Sequence, residues 1–181
     1  MLLCLAYPTL QSSDRLRIAD FRRKHDSEYV DVIEAHWTMI FPGSTYDIDQ
    51  SVLEDHIAQV ANNSEEVDFV CRYALVVNDE GNDNYYLFLV PDEGFSGISR
   101  LHDLLYSGFM RPRLRLDVPY IPHIGIATNK NKDHLYELAK EWNDASLEIR
   151  GKLQSLTISS YDGKVVRDIT HYNLKRANKT V

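Results

Sequence analysis

Apolar positions recur with period two in some stretches of the chain and with a helical period in others, so the pattern predicts strands and helices in alternation. The apolar run Leu2–Tyr7 predicts a core strand. Ser12, Ser13 and Asp14 are suitable N-caps for a helix running to about His25. The run from Glu34 to Pro42 predicts a second strand. Ser51-Val52-Leu53-Glu54 fits a capping box, and its helix continues to about Ala61, before Asn62-Asn63. Val67–Asn78 and Tyr85–Val90 predict two strong strands, with the polar cluster Asp79–Asp83 as their hairpin loop. Ile98–Tyr106 predicts a helix stopped by Ser107-Gly108. The run Tyr120–Ala127 predicts another strand. Lys132–Ile149 predicts a longer helix, with Leu135, Leu138, Ala139, Trp142, Ala145 and Ile149 on one face and Gly151 past its end. Leu153–Tyr161 and Val165–Tyr172 predict a final strand pair around an Asp162-Gly163 turn. The polar tail from Lys175 to Val181 is expected to fray.

The order of elements repeats: helix, histidine-bearing strand, helix, strand, hairpin, strand. His36 and His123 stand 87 positions apart, and Gly81 and Gly163 in the two hairpin loops follow them by 45 and 40. The halves share little sequence identity, so the repeat is one of order alone. It predicts a single domain over residues 1–175, with pseudo-repeats at about 14–90 and 97–173 and a polar tail at 176–181. The fold class is α+β: a bilobal, pseudo-symmetric duplicated fold. Two antiparallel-rich sheets flank a central cleft, with helices outside.

Composition narrows the function classes. The chain has 181 residues, 44% of them apolar, and a formal net charge of −7. That balance argues against a protein that coats long duplex nucleic acid, which needs a basic face. It leaves room for a small anion in a locally positive cleft. No apolar stretch is long enough for a membrane span. The apolar start lacks a basic region and reads as a strand, not a signal peptide. Cys4 and Cys71 lie in separate apolar runs and read as buried thiols in a reducing cytoplasm.

The candidate chemistry lies in two short runs. His36-Trp37-Thr38 and His123-Ile124-Gly125 each place a histidine two positions before a small residue, and side chains two apart on a strand share a face. A pair of imidazoles suits proton transfer near neutral pH. The histidines are not spaced with carboxylates as a metal site needs, so no metal or other cofactor is expected. Arg111, Arg113 and Arg115 alternate ahead of the second run; they line a cleft edge and hold phosphate, or form a solvated basic strand edge. Arg72 and Tyr73 sit mid-strand; a plain strand role is the first reading, and one of them facing the cleft the alternative. Tyr7, Trp37, Phe41 and Tyr120 are candidates for stacking on a base. Trp37 and Phe41 alternate with His36 and are expected in the core, Tyr120 at the cleft rim. His25, His56, His102, His134 and His171 read as surface residues.

These runs resemble the two motifs of the 2H (two-histidine) phosphoesterase superfamily, within it the 2'-5' RNA ligase and cyclic phosphodiesterase-like proteins. His36-Trp37-Thr38, followed by Met39-Ile40-Phe41-Pro42, is similar to the first motif. Pro122-His123-Ile124-Gly125-Ile126-Ala127 is similar to the second. Leu2–Pro8 and Leu156–Gly163 resemble the family's first and late strands, so the resemblance covers nearly the whole chain. Gly125 departs from it, standing where the family carries Thr or Ser.

The resemblance implies a phosphodiesterase acting on a 2',3'-cyclic nucleotide, an RNA terminus with a cyclic phosphate, or a 2',5'-phosphodiester. His36 and His123 would be catalytic, with His36 as acid and His123 as base. Thr38 and the Gly125 amide would hold phosphate; by position alone Arg115 is a further candidate for phosphate and Tyr120 for substrate contact. The alternative is a non-catalytic member that binds a nucleotide or RNA end without turning it over, and a third reading makes the histidines incidental to a structural domain.

Overall fold

The computed structural model describes residues 1–78, 83–117 and 119–177. The elements run in the order β1 (Leu2–Ala6), β2 (Pro8–Leu10), α1 (Ser12–His25), β3 (Trp37–Ile40), α2 (Gln50–Asn63), β4 (Val67–Asn78), β5 (Tyr85–Glu93), α3 (Phe95–Leu105), β6 (Ile124–Asn129), α4 (Lys132–Asp144), β7 (Ile149–Leu153), β8 (Ser155–Tyr161) and β9 (Val166–Asn173). Short 3-10 helices cover Pro42–Thr45 and Gly108–Arg113. Two antiparallel sheets result, ordered β3-β1-β8-β9 and β2-β7-β4-β5-β6. Each sheet therefore draws strands from both halves of the chain. The α+β, two-sheet reading holds.

In each sheet one set of alternating side chains enters the common core. In the first sheet Cys4, Ala6, Trp37, Met39, Leu156 and Ile158 enter the common core, while Thr38, Leu5 and Thr157 share a register row on the other face. In the second sheet Ala74, Leu87 and Leu89 enter the core. Tyr73, Leu75 and Val77 alternate with Ala74 and Val76, so they share the opposite face with Phe88 and Tyr86. Trp37 is fully buried and meets Phe69 edge-on at 5.1 Å, joining the two sheets through the core. Cys4 and Cys71 are buried free thiols. Among the described residues no helix is long and apolar enough to cross a membrane.

Several elements differ from the pattern-based reading. The helix expected to reach Ile149 stops at Asp144; Ser146 adopts φ +48, and Ile149 opens a strand paired with Cys71. Gly151 is a strand position, not a helix stop. A Cβ there would lie 2.6 Å from the Phe69 ring and 2.8 Å from the Thr9 carbonyl, so only glycine lets β2, β4 and β7 close on one another. The three-residue strand β2 was not expected at all. Helix α1 is capped by Gln11 and α2 by Asp49, whose carboxylate accepts from the Ser51 amide, in place of the serines read as caps. Lys175 is not frayed: its carbonyl accepts from the Glu66 amide at 2.8 Å. Apart from Asp83, the hairpin loop expected at 79–83 lies outside the described residues, as does the tail beyond residue 177.

Candidate active site

His36 and His123 stand immediately before β3 and β6, one residue short of the strands in which they were expected. Each of those strands is the edge of its sheet. The local reason is the same in both: the Nδ1 of His36 donates to the Glu34 carbonyl at 2.7 Å, and that of His123 to the Ile121 carbonyl at 2.7 Å. Each ring thus turns back on the carbonyl two residues earlier and takes its segment off the ladder. A carbonyl only accepts, so Nδ1 carries the proton in both rings. In the neutral ring Nε2 keeps its lone pair.

The two-residue spacing then works as the sequence predicts. Thr38 Oγ1 donates to His36 Nε2 at 3.2 Å. At the second motif Gly125 offers no hydroxyl, and the ring of His123 is instead stacked on Phe88, centroids 3.6 Å apart at 14°. Gly125 and Phe88 are cross-strand partners.

The electrostatics follow from burial. Both histidines are half-buried, and desolvation of the imidazolium pulls each down to about 4. At His36 the Glu34 carbonyl opposes that fall, while the charges of His123 and then Arg22 add to it. Tyr120 joins the motifs directly: its hydroxyl donates to the Thr38 carbonyl at 3.2 Å, and it precedes His123 by three positions.

The remaining sequence candidates fall into two groups. Tyr120 is half-buried, with one ring face stacked on His102 at 3.6 Å and 8°. His102 is accordingly a buried residue, not a surface one. Tyr7 continues β1 beyond the Ala6–Trp37 pair, opposite His36, and its hydroxyl donates to Asp168 at 2.9 Å. Phe41, expected in the core, is 40% exposed. Arg111 and Arg113 lie in a 3-10 helix and not on a strand edge, and Arg113 donates to the Ser44 and Tyr46 carbonyls. Arg115 is exposed and paired with Asp117. Arg72 is held by Asp92, Glu93 and Glu148, so Tyr73 is the open member of that pair.

Sequence reasoning missed the aromatic floor of the second sheet. Phe88 lies under His123, Tyr86 sits 5.8 Å from Phe88, and the Tyr86 hydroxyl approaches that of Tyr29 at 3.5 Å. The alternation of Tyr86 and Phe88 was visible; that β5 pairs with the His123 strand was not. Beside His36 a cavity of about 380 Å³ is lined by Tyr7, Asp31, Glu34 and Asp168 among others. Among the described residues no cluster of His, Cys, Asp and Glu has the makings of a metal site.

Two antiparallel sheets thus each end in an edge strand led by a carbonyl-clamped histidine. The family model of the 2'-5' RNA ligase superfamily matches residues 10–165, and the chain belongs to that superfamily. Its members include phosphoesterases and ligases acting on phosphodiester bonds. Solved structures agree on the fold. Escherichia coli LigT in its apo form is similar at 17% identity with a TM-score of 0.56, over 97% of this chain and 99% of that one. The Thermus thermophilus protein TT0787 is similar at 13% identity with a TM-score of 0.63, over 98% and 99%. Kluyveromyces marxianus Usb1 is similar at 12% identity with a TM-score of 0.51, over 96% and 97%. No curated protein sequence matches the chain.

Proposed function

We propose that this protein is a phosphodiesterase that opens 2',3'-cyclic phosphates of nucleotides or RNA ends, or cleaves 2',5'-phosphodiesters, with His36 and His123 as its acid–base pair. The observation that carries this reading is the matched pair of Nδ1 clamps, which leaves two Nε2 atoms as the working nitrogens. Water attacks phosphorus while His123 Nε2 takes its proton. The bond to one ribose oxygen breaks, and protonated His36 gives that oxygen its Nε2 proton. The Thr38 hydroxyl turns from His36 to a non-bridging oxygen, and the Gly125 amide supplies a second donor. This chemistry asks for no metal. LigT, the structural neighbour, has been crystallised with 3'-AMP, ATP and phosphate, which fits a nucleotide-sized ligand here. The base would stack on the Phe88 and Tyr86 side. The acidic side chains beside Tyr7 disfavour a further phosphate there.

The test is a panel of 2',3'-cyclic, 3',5'-cyclic and 2',5'-linked substrates in EDTA, with products resolved by chromatography. Turnover of the first or third class supports the reading. Tight binding of 3'-AMP with no turnover of any substrate would instead identify the non-catalytic binder, which Gly125 favours.

With both free histidines titrating near 4, kcat/KM should rise as pH falls from 8 toward 5, because it tracks the scarce imidazolium of the free enzyme. Fold stability should move the other way. Unfolded histidine takes its proton near 6.5, so between there and about 4 the unfolded state binds more protons and stability is lost as pH falls. A kcat/KM that climbs from pH 5 to 8 would contradict this assignment. A second expectation concerns Gly125→Thr. A Cβ there would meet only Phe88, at 4.0 Å, so the backbone leaves room for one. One added hydrogen bond to a charged phosphate is expected to raise kcat/KM roughly tenfold. Steady-state assays read the gain; an unchanged or lower value means the amide already suffices.

A further inference from the structure

The chain between α1 and β3 runs as a strap attached to both sheets. Asp26 forms a parallel bridge with Thr128 of β6, in the second sheet. Six residues on, the Val32 carbonyl accepts from the Val166 amide of β9, in the first sheet, at 3.1 Å. The strap ends at Glu34, whose carbonyl orients His36.

A buried ion pair staples this strap from beneath. Arg22 and Asp26 are 5% and 3% exposed, and their side chains meet at 2.9 Å. The guanidinium uses its remaining donors on the strap itself: Nη1 donates to the Ile33 carbonyl at 2.9 Å and Nη2 to the Tyr29 carbonyl at 3.1 Å. Asp26 Oδ1 accepts from Thr128 Oγ1 at 3.1 Å and from the Tyr29 amide at 3.3 Å. A planar fork with fixed donors is suited to hold three acceptors at once, as an ammonium is not. Ile33 directly precedes Glu34, so the Arg22 fork fixes the peptide next to the one that clamps His36.

We infer that Arg22 and Asp26 are positioning residues. They set the path of the strap, hold the Glu34 carbonyl where it keeps His36 in its Nδ1–H form, and tie that clamp to the strand that follows His123. The inference rests on the two-histidine reading, because the tautomer matters only if Nε2 is the working atom. Without the staple the Glu34 carbonyl loses its fixed position and His36 samples both neutral tautomers. The imidazolium carries an Nε2–H whichever tautomer it forms from, so what the clamp secures is that Nδ1 keeps its proton after transfer and that the ring stays turned with Nε2 toward the substrate.

The test is ring nitrogen NMR of the full chain labelled with ¹⁵N-histidine, at pH 7.5 without substrate, alongside steady-state kinetics on a 2',3'-cyclic nucleotide. The variant is Arg22→Met/Asp26→Asn, which removes both charges and leaves an amide oxygen for Thr128. Its His36 is expected to show mixed tautomers and His123 an unchanged spectrum. Its kcat should fall at least tenfold while KM stays within about twofold. A folded double variant with His36 still wholly Nδ1–H and wild-type kcat would overturn the inference. If that variant fails to fold, Arg22→Lys decides: it keeps the charge beside Asp26 but loses the fork, so mixed tautomers support the inference and a single tautomer overturns it. If wild type turns over no phosphodiester, the proposed activity fails while the tautomer result still judges the staple.

Discussion

Replacing either His36 or His123 with alanine is expected to lower kcat on a 2',3'-cyclic phosphate by roughly 10²–10⁴-fold, the usual worth of one positioned acid or base. The losses should be similar, because each ring donates Nδ1 to the carbonyl two residues earlier and burial pulls both down to about 4. Neither change should unfold the protein. Both rings lie outside the apolar core, and the carbonyls they release are near solvent. A melting temperature close to wild type, measured beside the kinetics, separates lost chemistry from lost fold. A variant that retains a third or more of wild-type kcat would remove its histidine from the mechanism.

Arg22→Met alone is expected to cost about 3–5 kcal/mol of stability, the range for breaking a buried ion pair from one side. The carboxylate of Asp26 would stay buried with only the Thr128 hydroxyl and the Tyr29 amide as donors. For a chain of this length that is a fall in melting temperature of roughly 10 °C. Adding Asp26→Asn removes the stranded charge and should recover much of the loss, which urea titration of the single and double variants can check. Equal stability of wild type and Arg22→Met would mean that the pair is already hydrated.

The sequence foretold the elements that depend on local pattern. The period-two runs that became β1, β4 and β8, and the apolar stripe that became α4, are short-range signals and were legible. So was the shared face of His36 and Thr38, which follows from strand geometry alone. What failed was set by partners distant in sequence. Ile149 reads as the last turn of a helix by spacing, yet pairing with Cys71 makes it a strand. Gly151 reads as a stop, yet the Phe69 ring lies across it. His102 reads as a surface residue until Tyr120 stacks on it. Phe88 and the Arg22 staple escaped for the same reason. The first depends on which strand flanks β6, and the second on how a strap with little regular structure crosses two sheets. The seams between sheets thus hold much of the site's supporting structure, and no periodicity reports on them.

The central claim is that His36 and His123 act as one unit on one phosphate. The direct measurement is the rate of 2',3'-cyclic nucleotide opening in EDTA for wild type, His36→Ala, His123→Ala and the double variant. Groups that act together lose their effect together. The double variant is therefore expected to be no more than a few-fold slower than either single variant, all three lying at least a hundredfold below wild type. Losses that multiply in the double variant, or equal rates in all four proteins, would contradict the claim.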